Sequence, residues 1–454
     1  MRYNRSERHE CRSLFPLPST LRMTYDEAIA FWYGRMNFEV RSATPTDLKL
    51  ERMRALLSNL GDPQNRLRIV HITGTKGKGS VAAMLAATLR AAGYRVGLFT
   101  SPHLVRVEER IQVNGVPISE AELAARMTEL APLVDPSSTF FEIATAVGFQ
   151  HFLYRNVDIA IVEVGLGGRF DSTNVCTPLA TVISSIGLDH TAQLGETLEE
   201  IAFQKAGIIK PNIPTVSGVT QPAPLAVIRK VAAENASRIL QLERDIHYRY
   251  EGTKVSVVTP GRQYPAFALK LLGEHQAANA AIAIGVVERL QACGLTIPDT
   301  AIAHGFANVD WPARIEVVRL RPTVIVDCAH NVPSAEALAK TLRAAFPDAK
   351  RRTVLFAVSS DKNYEAILAV LVKEFDQIVL TKYGNNPRCV PPEKLVEVLA
   401  EIAPEMRPPV YQNATAAWEA TFAEAGADDL ICIAGSVFLA GELRDIVRQN
   451  HEVH

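Results

Sequence analysis

The stretch Val70-His71-Ile72-Thr73-Gly74-Thr75-Lys76-Gly77-Lys78-Gly79-Ser80 constrains the fold more than any other. It carries an apolar strand through a glycine-dense loop into an alanine-rich helix, expected over Val81 to Ala92. Glycines at 74, 77 and 79 let backbone N–H groups turn inward without Cβ clashes. The helix start adds the positive end of its dipole. Lys78 stands where a phosphate-loop lysine reaches β- and γ-phosphate oxygens, and Ser80 follows it. The spacing is tighter than G-x-x-x-x-G-K-[ST], because only Thr75 and Lys76 separate Gly74 from Gly77-Lys78. An ordinary Gly-rich strand–helix turn is the bland alternative. A strand before the loop and a helix after it favour a nucleotide phosphate loop.

The rest of the chain repeats this alternation. Arg95 to Phe99 reads as a strand ending at Thr100-Ser101-Pro102-His103, where Pro102 stops the pairing. A buried helix begins at Phe140-Phe141-Glu142, and further strands cover 158–164 and 180–186. Continuous apolar strands between helices imply a parallel sheet covered on both faces, which gathers ligands at its carboxyl edge. Ser101, Glu163 and His190 lie at or just beyond three such strand ends, so they are expected to converge on the phosphate loop. Helices are also expected from Thr24 and from Thr46, over 274–293 and up to Asn308. The Thr-, Val- and Tyr-rich stretch 240–272 suggests a small antiparallel excursion. Asp310-Trp311-Pro312-Ala313-Arg314 reads as a domain junction. Beyond it, strands near 323–327, 353–358, 377–380 and 429–434 form a second βα series. The expected class is α/β, a P-loop central parallel-sheet ATPase domain (23–309) followed by a smaller Rossmann-like α/β domain (310–454).

Composition narrows the functional classes. The chain has 454 residues, 48% of them apolar, enough to fill more than one core. A formal net charge of -1 leaves no basic excess of the kind that marks a nucleic-acid surface. The six cysteines are scattered without a C-x-x-C pair, which points to reduced thiols and a cytoplasmic protein. No apolar run reaches the ~18 residues of a membrane span. Residues 1–22 are charged, lack an apolar core segment and are expected to be a disordered lead-in rather than a secretory signal.

Taken together, these motifs resemble the folylpolyglutamate synthase/dihydrofolate synthase family of the Mur ligase superfamily. The first signature is Ile72 to Ser80; the second is Val162-Glu163-Val164-Gly165-Leu166-Gly167-Gly168-Arg169-Phe170-Asp171-Ser172-Thr173-Asn174. Thr100-Ser101-Pro102-His103 lies between the two, and Gly187-Leu188-Asp189-His190-Thr191 and His275-Gln276-x-x-Asn279 follow them. Trp311-Pro312-x-Arg314 and Asp327-x-Ala329-His330-Asn331 complete the set. Lys49 stands where the family commonly has Gly, and Gln204 where it commonly has Glu.

The resemblance implies an ATP-dependent ligase that adds L-glutamate to a folate or dihydropteroate carboxylate through an acyl phosphate. ATP would be the co-substrate, with its phosphates on Thr75, Lys76, Gly77, Lys78, Gly79 and Ser80. Asn279 would meet its adenine, and Arg314 and Asp327 would reach in from the second domain. Ser101, Glu163 and His190 would hold one or two Mg²⁺ ions, together with a CO₂-derived carbamate on Lys205. Asp47, Leu48, Thr139, Phe140, Phe141, Glu142, Phe170, Asp171 and Ser172 would contact the pterin or folate. Lys78, Lys205 and His330 are the expected catalytic group. Neither nucleic acid nor membrane is an expected partner, and the resemblance favours a monomer.

Each residue has a blander reading. Glu163 is otherwise a buried capping or ion-paired carboxylate, though a buried carboxylate needs a partner or a metal. His190 is otherwise a core histidine, and magnesium prefers oxygen. Lys205 is otherwise a surface lysine on an amphipathic helix, and His330 a strand-end histidine without a role. At the level of the whole chain, a Mur-type ligase on another carboxylate precursor and a nucleotide-dependent switch are the alternatives.

Overall fold

The computed structural model of the chain describes residues 22–37, 50–384 and 386–449. Asp47, Leu48, the start of the helix expected from Thr46 and residues 1–21 of the expected lead-in lie outside them. Helices α1 (Tyr25–Tyr33) and α2 (Glu51–Asn59) lead into strand β1 (Ile69–Thr73), helix α3 (Lys78–Ala91) and strand β2 (Val96–Phe99). Short strands β3 (Ile111–Val113) and β4 (Val116–Pro117) precede helices α4 (Glu120–Leu130) and α5 (Phe140–Tyr154). Strands β5 (Ile159–Glu163) and β6 (Ala180–Ile183) come next, then helices α6 (Thr191–Leu194) and α7 (Leu198–Ala206). Strand β7 (Thr215–Ser217), helix α8 (Pro222–Glu234) and strand β8 (Ile239–Gln241) finish the first sheet.

That sheet has eight strands in the order β4-β3-β2-β5-β1-β6-β7-β8. All pairings from β2 to β8 are parallel; β3 and β4 add an antiparallel edge that the sequence reading did not anticipate. Strand β1 lies between β5 and β6, parallel to both, and all five of its residues are buried. Its mostly β-branched sequence suits a strand covered on both sides. Val70 and Ile72 join the cluster under α3, while Ile69 joins the opposite cluster with Leu57, Phe149 and Phe152. The chain runs from β1 out to β2 on one side and later to β6, β7 and β8 on the other. The crevice at this reversal is therefore the ligand position for the sheet.

Helix α3 begins at Lys78, not at Val81 as expected. Gly77 takes φ 81° as its N-cap, so the chain turns from loop to helix in one residue and Lys78-Gly79-Ser80 become the first turn.

The antiparallel excursion is present as strands β9 (His247–Glu251), β10 (Lys254–Val258) and β11 (Phe267–Ala268). Helices α9 (Glu274–Ala292) and α10 (Asp299–Asn308) follow, and α9 packs on α3. The second sheet holds β12 (Glu316–Leu320), β13 (Thr323–Val326), β14 (Arg352–Phe356), β15 (Gln377–Leu380) and β16 (Leu430–Ala434). Its order is β12-β13-β16-β14-β15, parallel except for the β12–β13 hairpin. Strand β12 was not anticipated: Glu316-Val317-Val318-Arg319-Leu320 shows no clean alternation, and all of it is partly or fully exposed. Helices α11 (Val332–Ala345), α12 (Tyr364–Leu371), α13 (Pro392–Ile402), α14 (Ala414–Glu424) and α15 (Val437–Gln449) complete the fold. Apolar clusters lie on both faces of this sheet, as a βα series requires. Among the described residues, no helix is long and apolar enough to cross a membrane.

Phe152 tests the core that supports this crevice. It is fully buried, and its ring occupies the space beside Gly97 that a side chain on β2 would need. Phe152→Ala should cost about 3–5 kcal/mol in urea unfolding, the range for a large aromatic deleted from a close-packed core.

Candidate active site

The phosphate loop is held from below by the loop that follows β6. Thr75 N–H donates to the Ser185 carbonyl (2.9 Å), and Lys76 N–H donates to Ser185 Oγ (2.9 Å). Ser184 Oγ and Ser185 Oγ both donate to the Lys76 carbonyl, at 2.6 and 3.0 Å. Thr75 Oγ1 accepts from Gly187 N–H at 3.0 Å. Loop geometry is thus set by β6 as much as by its own glycines. Asn279, from the first turns of α9, lies against Gly77 where a Cβ would collide with its amide. Trp311 covers Gly79 in the same way, which brings the junction segment onto the loop.

Two lysines converge on one carbonyl. Lys78 Nζ and Lys205 Nζ lie 3.2 and 3.1 Å from the Gly74 oxygen. Lys205 is 5% exposed, on the inner side of α7, so the surface-lysine reading fails. Burial and then the neighbouring Lys78 pull its ammonium down to about 7.

Lys78 Nζ stands 3.9 Å from Glu163 Oε1, at the carboxyl end of β5. Glu163 is 4% exposed and its Oε2 has no hydrogen-bond partner. Burial pushes its carboxyl up to about 7, against smaller opposing pulls from Lys78, Arg314 and the Ser101 backbone N–H. The ion-paired reading of Glu163 is therefore only half satisfied: a long contact serves one oxygen, and the other is orphaned.

His190 follows β6 with φ 51°, a left-handed backbone uncommon outside glycine. Its ring is half exposed, 3.9 Å from Asp189, and so is no core histidine. Among the described residues, no three His, Cys, Asp or Glu side chains form a metal cage. The donor set Ser101, Glu163 and His190 supplies one carboxylate, a hydroxyl and an imidazole. That sparse set, with an orphaned buried carboxylate oxygen, suits Mg²⁺, which keeps several waters and shares its shell with substrate phosphates.

The second sheet contributes from the ends of β13 and β14. Asp189 accepts from Lys76 Nζ (2.9 Å), Lys362 Nζ (3.4 Å) and Asn331 Nδ2 (3.4 Å), so one carboxylate ties the phosphate loop to both strand ends. The sequence assigns no role to Asp189 or Lys362. Asp189 stands beside His190 in the Gly187–Thr191 motif and is legible there; Lys362 has only its place just beyond β14. His330 is partly buried, and its Nδ1 lies 2.7 Å from the Cys328 carbonyl. Asp327 is buried with one oxygen accepting from Ile315 N–H (2.8 Å) and the other from Ala329 N–H (2.7 Å). Its visible work is to shape the segment that carries Arg314.

The expected acceptor contacts separate into two groups. Thr139 and Glu142 form the capping box of α5, and Arg52 Nε approaches Glu142 at 3.2 Å. Phe140 lies in the core, stacked on Trp32 at 5.0 Å, and its ring offers no free face. Phe141 instead fills the space over Gly165, while Phe170 is 46% exposed at the rim. Asp171 is buried and caps the turn that Ser172 begins.

The orphaned carboxylate yields a pH prediction. Glu163 is raised in the folded protein from 4.5 to about 7, so between these values the folded state holds a proton that the unfolded state releases. Its contribution is fully present below pH ~4.5 and lost as pH rises through ~7. In metal-free protein, Glu163→Gln should be more stable than the parent by up to roughly 3 kcal/mol at pH 8, with the gap closing near pH 4.5. Urea unfolding of both proteins across that range measures it.

Comparison with known proteins agrees with this geometry. Residues 72–287 match the Mur ligase middle domain, and residues 313–437 match the Mur ligase glutamate ligase domain. The dihydrofolate synthase/folylpolyglutamate synthase of Bacillus subtilis is 41% identical over 358 residues, 76% of this chain and 82% of that protein. Mycobacterium tuberculosis folylpolyglutamate synthase complexed with ADP superposes with TM-score 0.85 at 33% identity, covering 93% of this chain and 98% of that one. E. coli FolC in complex with DHPP and ADP gives TM-score 0.85 at 29% identity, covering 95% and 99%. With sequence, fold and phosphate loop in agreement along nearly the whole length, the chain belongs to the folylpolyglutamate synthase/dihydrofolate synthase family of Mur ligases.

Proposed function

We propose that this chain is an ATP-dependent ligase joining the amino group of L-glutamate to a folate or dihydropteroate carboxylate. The observation that carries the reading is the cluster at Gly74, where Lys78, Lys205, Lys76 and Lys362 surround Glu163 and Asp189 at a glycine-rich helix start. Such an excess of cations fits a polyphosphate.

A carboxylate is a poor acyl donor, so it must first be activated. Its oxygen attacks the γ-phosphorus, the bond to the β–γ bridging oxygen breaks, and ADP leaves with that electron pair. The glutamate amine then attacks the acyl carbon, phosphate departs with the C–O pair, and the amine gives up its proton. For this chain the work is positioning and neutralising charge. Gly77, Lys78, Gly79 and Ser80 receive the phosphates on the first turn of α3, with Thr75 and Lys76 holding the approach. Asn279 lies beside Gly77 for the adenine end, and Arg314 faces the same cleft. His330 stands beside Lys76 and Lys362 on the γ-phosphate side. Phe141, Phe170 and Ser172 form the acceptor's surroundings, with Thr139, Glu142 and Asp171 fixing the loops that carry them.

Ser101, Glu163 and His190 would hold Mg²⁺, which when bound neutralises phosphate charge and polarises the transferred group. Lys205 fits a carbamate. Its amine is half neutral near pH 7, able to add to CO₂ with loss of a proton, and the product reverses the sign of a charge that Lys78 repels. Residues 23–309 would bind ATP and acceptor, and 310–454 would close over them through Trp311, Arg314 and Lys362. Closure keeps water from the acyl phosphate.

The decisive experiment follows ADP release with Mg-ATP, L-glutamate and either dihydropteroate or tetrahydrofolate. ADP should accumulate only when acceptor and glutamate are both present, and the better acceptor separates the two family activities. Equal turnover without glutamate would refute the ligase. Lys205→Ala should lose at least about 100-fold in turnover, the scale of a removed charge-stabilising group. Intact mass of the parent protein in bicarbonate should show an added carboxyl on Lys205, absent from the variant.

A further inference from the structure

A fully buried histidine in the middle of β1 has no part in the mechanism so far. His71 and Thr73 point to the same side of the strand, two residues apart, and both are 0% exposed. On that side a parallel strand is normally apolar, and a polar group there costs stability unless it is bonded. Each side chain has one bond, and both bonds go to the second glycine-rich loop. Thr73 Oγ1 donates to the Gly167 carbonyl at 2.6 Å. His71 Nε2 lies 2.8 Å from Thr173 Oγ1, and Thr173 Oγ1 in turn donates to Asp171 Oδ1.

The direction of this chain is determined. The Thr173 hydroxyl has one proton and gives it to the carboxylate, so its oxygen accepts from His71. His71 is therefore the neutral Nε2–H tautomer; burial, with Lys210 nearby, holds its imidazole at about 3. Asp171 then collects the backbone N–H groups of Thr173 at 3.0 Å and Leu166 at 2.9 Å, closing the loop that presents Phe170 and Ser172. His71 Nδ1 has no partner, so one directional bond is all the ring makes.

We infer that His71 is a positioning residue for the acceptor: through Thr173 and Asp171, it locks the Phe170–Ser172 loop to the strand that carries the phosphate loop. The inference rests on the acceptor assignment proposed above for Phe170 and Ser172. Its physical content is that one strand sets two loops. The residues of β1 that continue into Gly74 place the phosphates, and the side chains of the same strand place the receiving carboxylate's surroundings. The ring is the donor that reaches Thr173 Oγ1 from β1, so its loss orphans that oxygen and unties the loop from the strand.

The test compares His71→Leu, which keeps volume and removes the donor, with His71→Gln, whose amide can restore a donor near Nε2. Thr173→Val is the independent cut. His71→Leu and Thr173→Val should each raise the acceptor KM about tenfold, the effect of one buried hydrogen bond. The ATP KM should move less than about twofold, since the phosphate-loop contacts are untouched. The double variant should cost no more than either single one, because both break the same chain. His71→Gln should recover most of the loss. Hydrogen exchange at the Leu166 and Thr173 amides should quicken in His71→Leu while β5 stays protected. Parent ligation with unchanged acceptor KM and loop exchange in His71→Leu overturns the inference. Equal rises in the ATP and acceptor KM without rescue by Gln also overturn it, because they mark a purely structural histidine. A parent that does not ligate overturns the functional reading instead, and loop exchange still decides whether His71 holds the loop.

Discussion

The structure depends on positive charge concentrated at one carbonyl. Lys78 and Lys205 meet at the Gly74 oxygen, Lys76 and Lys362 lie a few ångströms off on Asp189, and Arg314 faces Glu163. Like charges this close in a partly buried cleft are tolerable only with compensating partners. Here the compensation is minimal: Asp189 is shared among Lys76, Lys362, Asn331 and the His190 N–H, and Glu163 offers Lys78 one oxygen at long range. The result is a site whose electrostatics suit a polyanion. Burial brings the Glu163 carboxyl up, against the pull of these cations, and the Lys205 amine down, with their help, into the neutral pH range.

Sheet topology explains how the cluster is assembled. The strand order reverses at β1, so the loops after β1, β2, β5 and β6 all open onto one crevice. Each loop delivers one kind of group: glycines and lysines after β1, Ser101 after β2, Glu163 and the second glycine-rich loop after β5, Asp189 and His190 after β6. Strand ends are rigid platforms, which is what catalytic geometry requires. The second sheet repeats the device with Asp327, His330 and Lys362 beyond β13 and β14. Contacts of Asp189, Gly79 and Glu274 with Asn331, Lys362, Trp311 and Lys340 then set the two edges against each other.

Much of this was legible in the chain. Apolar β-branched runs between amphipathic stretches identify the parallel strands, and the glycine pattern of 74–80 identifies the loop. Both are local signals. What was not legible is non-local: whether a polar residue near a strand end faces the cleft or serves the backbone. Phe140 and Phe141 are neighbours at the start of α5, yet Phe141 faces the glycine-rich loop and Phe140 the core, because consecutive helix positions point about 100° apart. The resemblance also implied acceptor contacts from Asp171, Thr139 and Glu142; their oxygens accept from backbone N–H groups and, for one Glu142 oxygen, from Arg52. The start of α3 moved from Val81 to Lys78 because a left-handed Gly77 can open a helix without a polar cap.

The sequence alone determined the α/β class and the phosphate loop, which rest on periodicity and on glycine's freedom at φ > 0, while most of the groups around the loop were expected from the family resemblance of the motifs. Tertiary structure alone decided that Lys205 and Lys78 share a carbonyl, and that Glu163 is half orphaned. It also decided that Asp189 bridges both sheets, and that His71 reaches the second loop through Thr173. Each of these is a contact between residues far apart in the chain. Burial and distance set their strength, and neither quantity exists until the strands have been placed side by side.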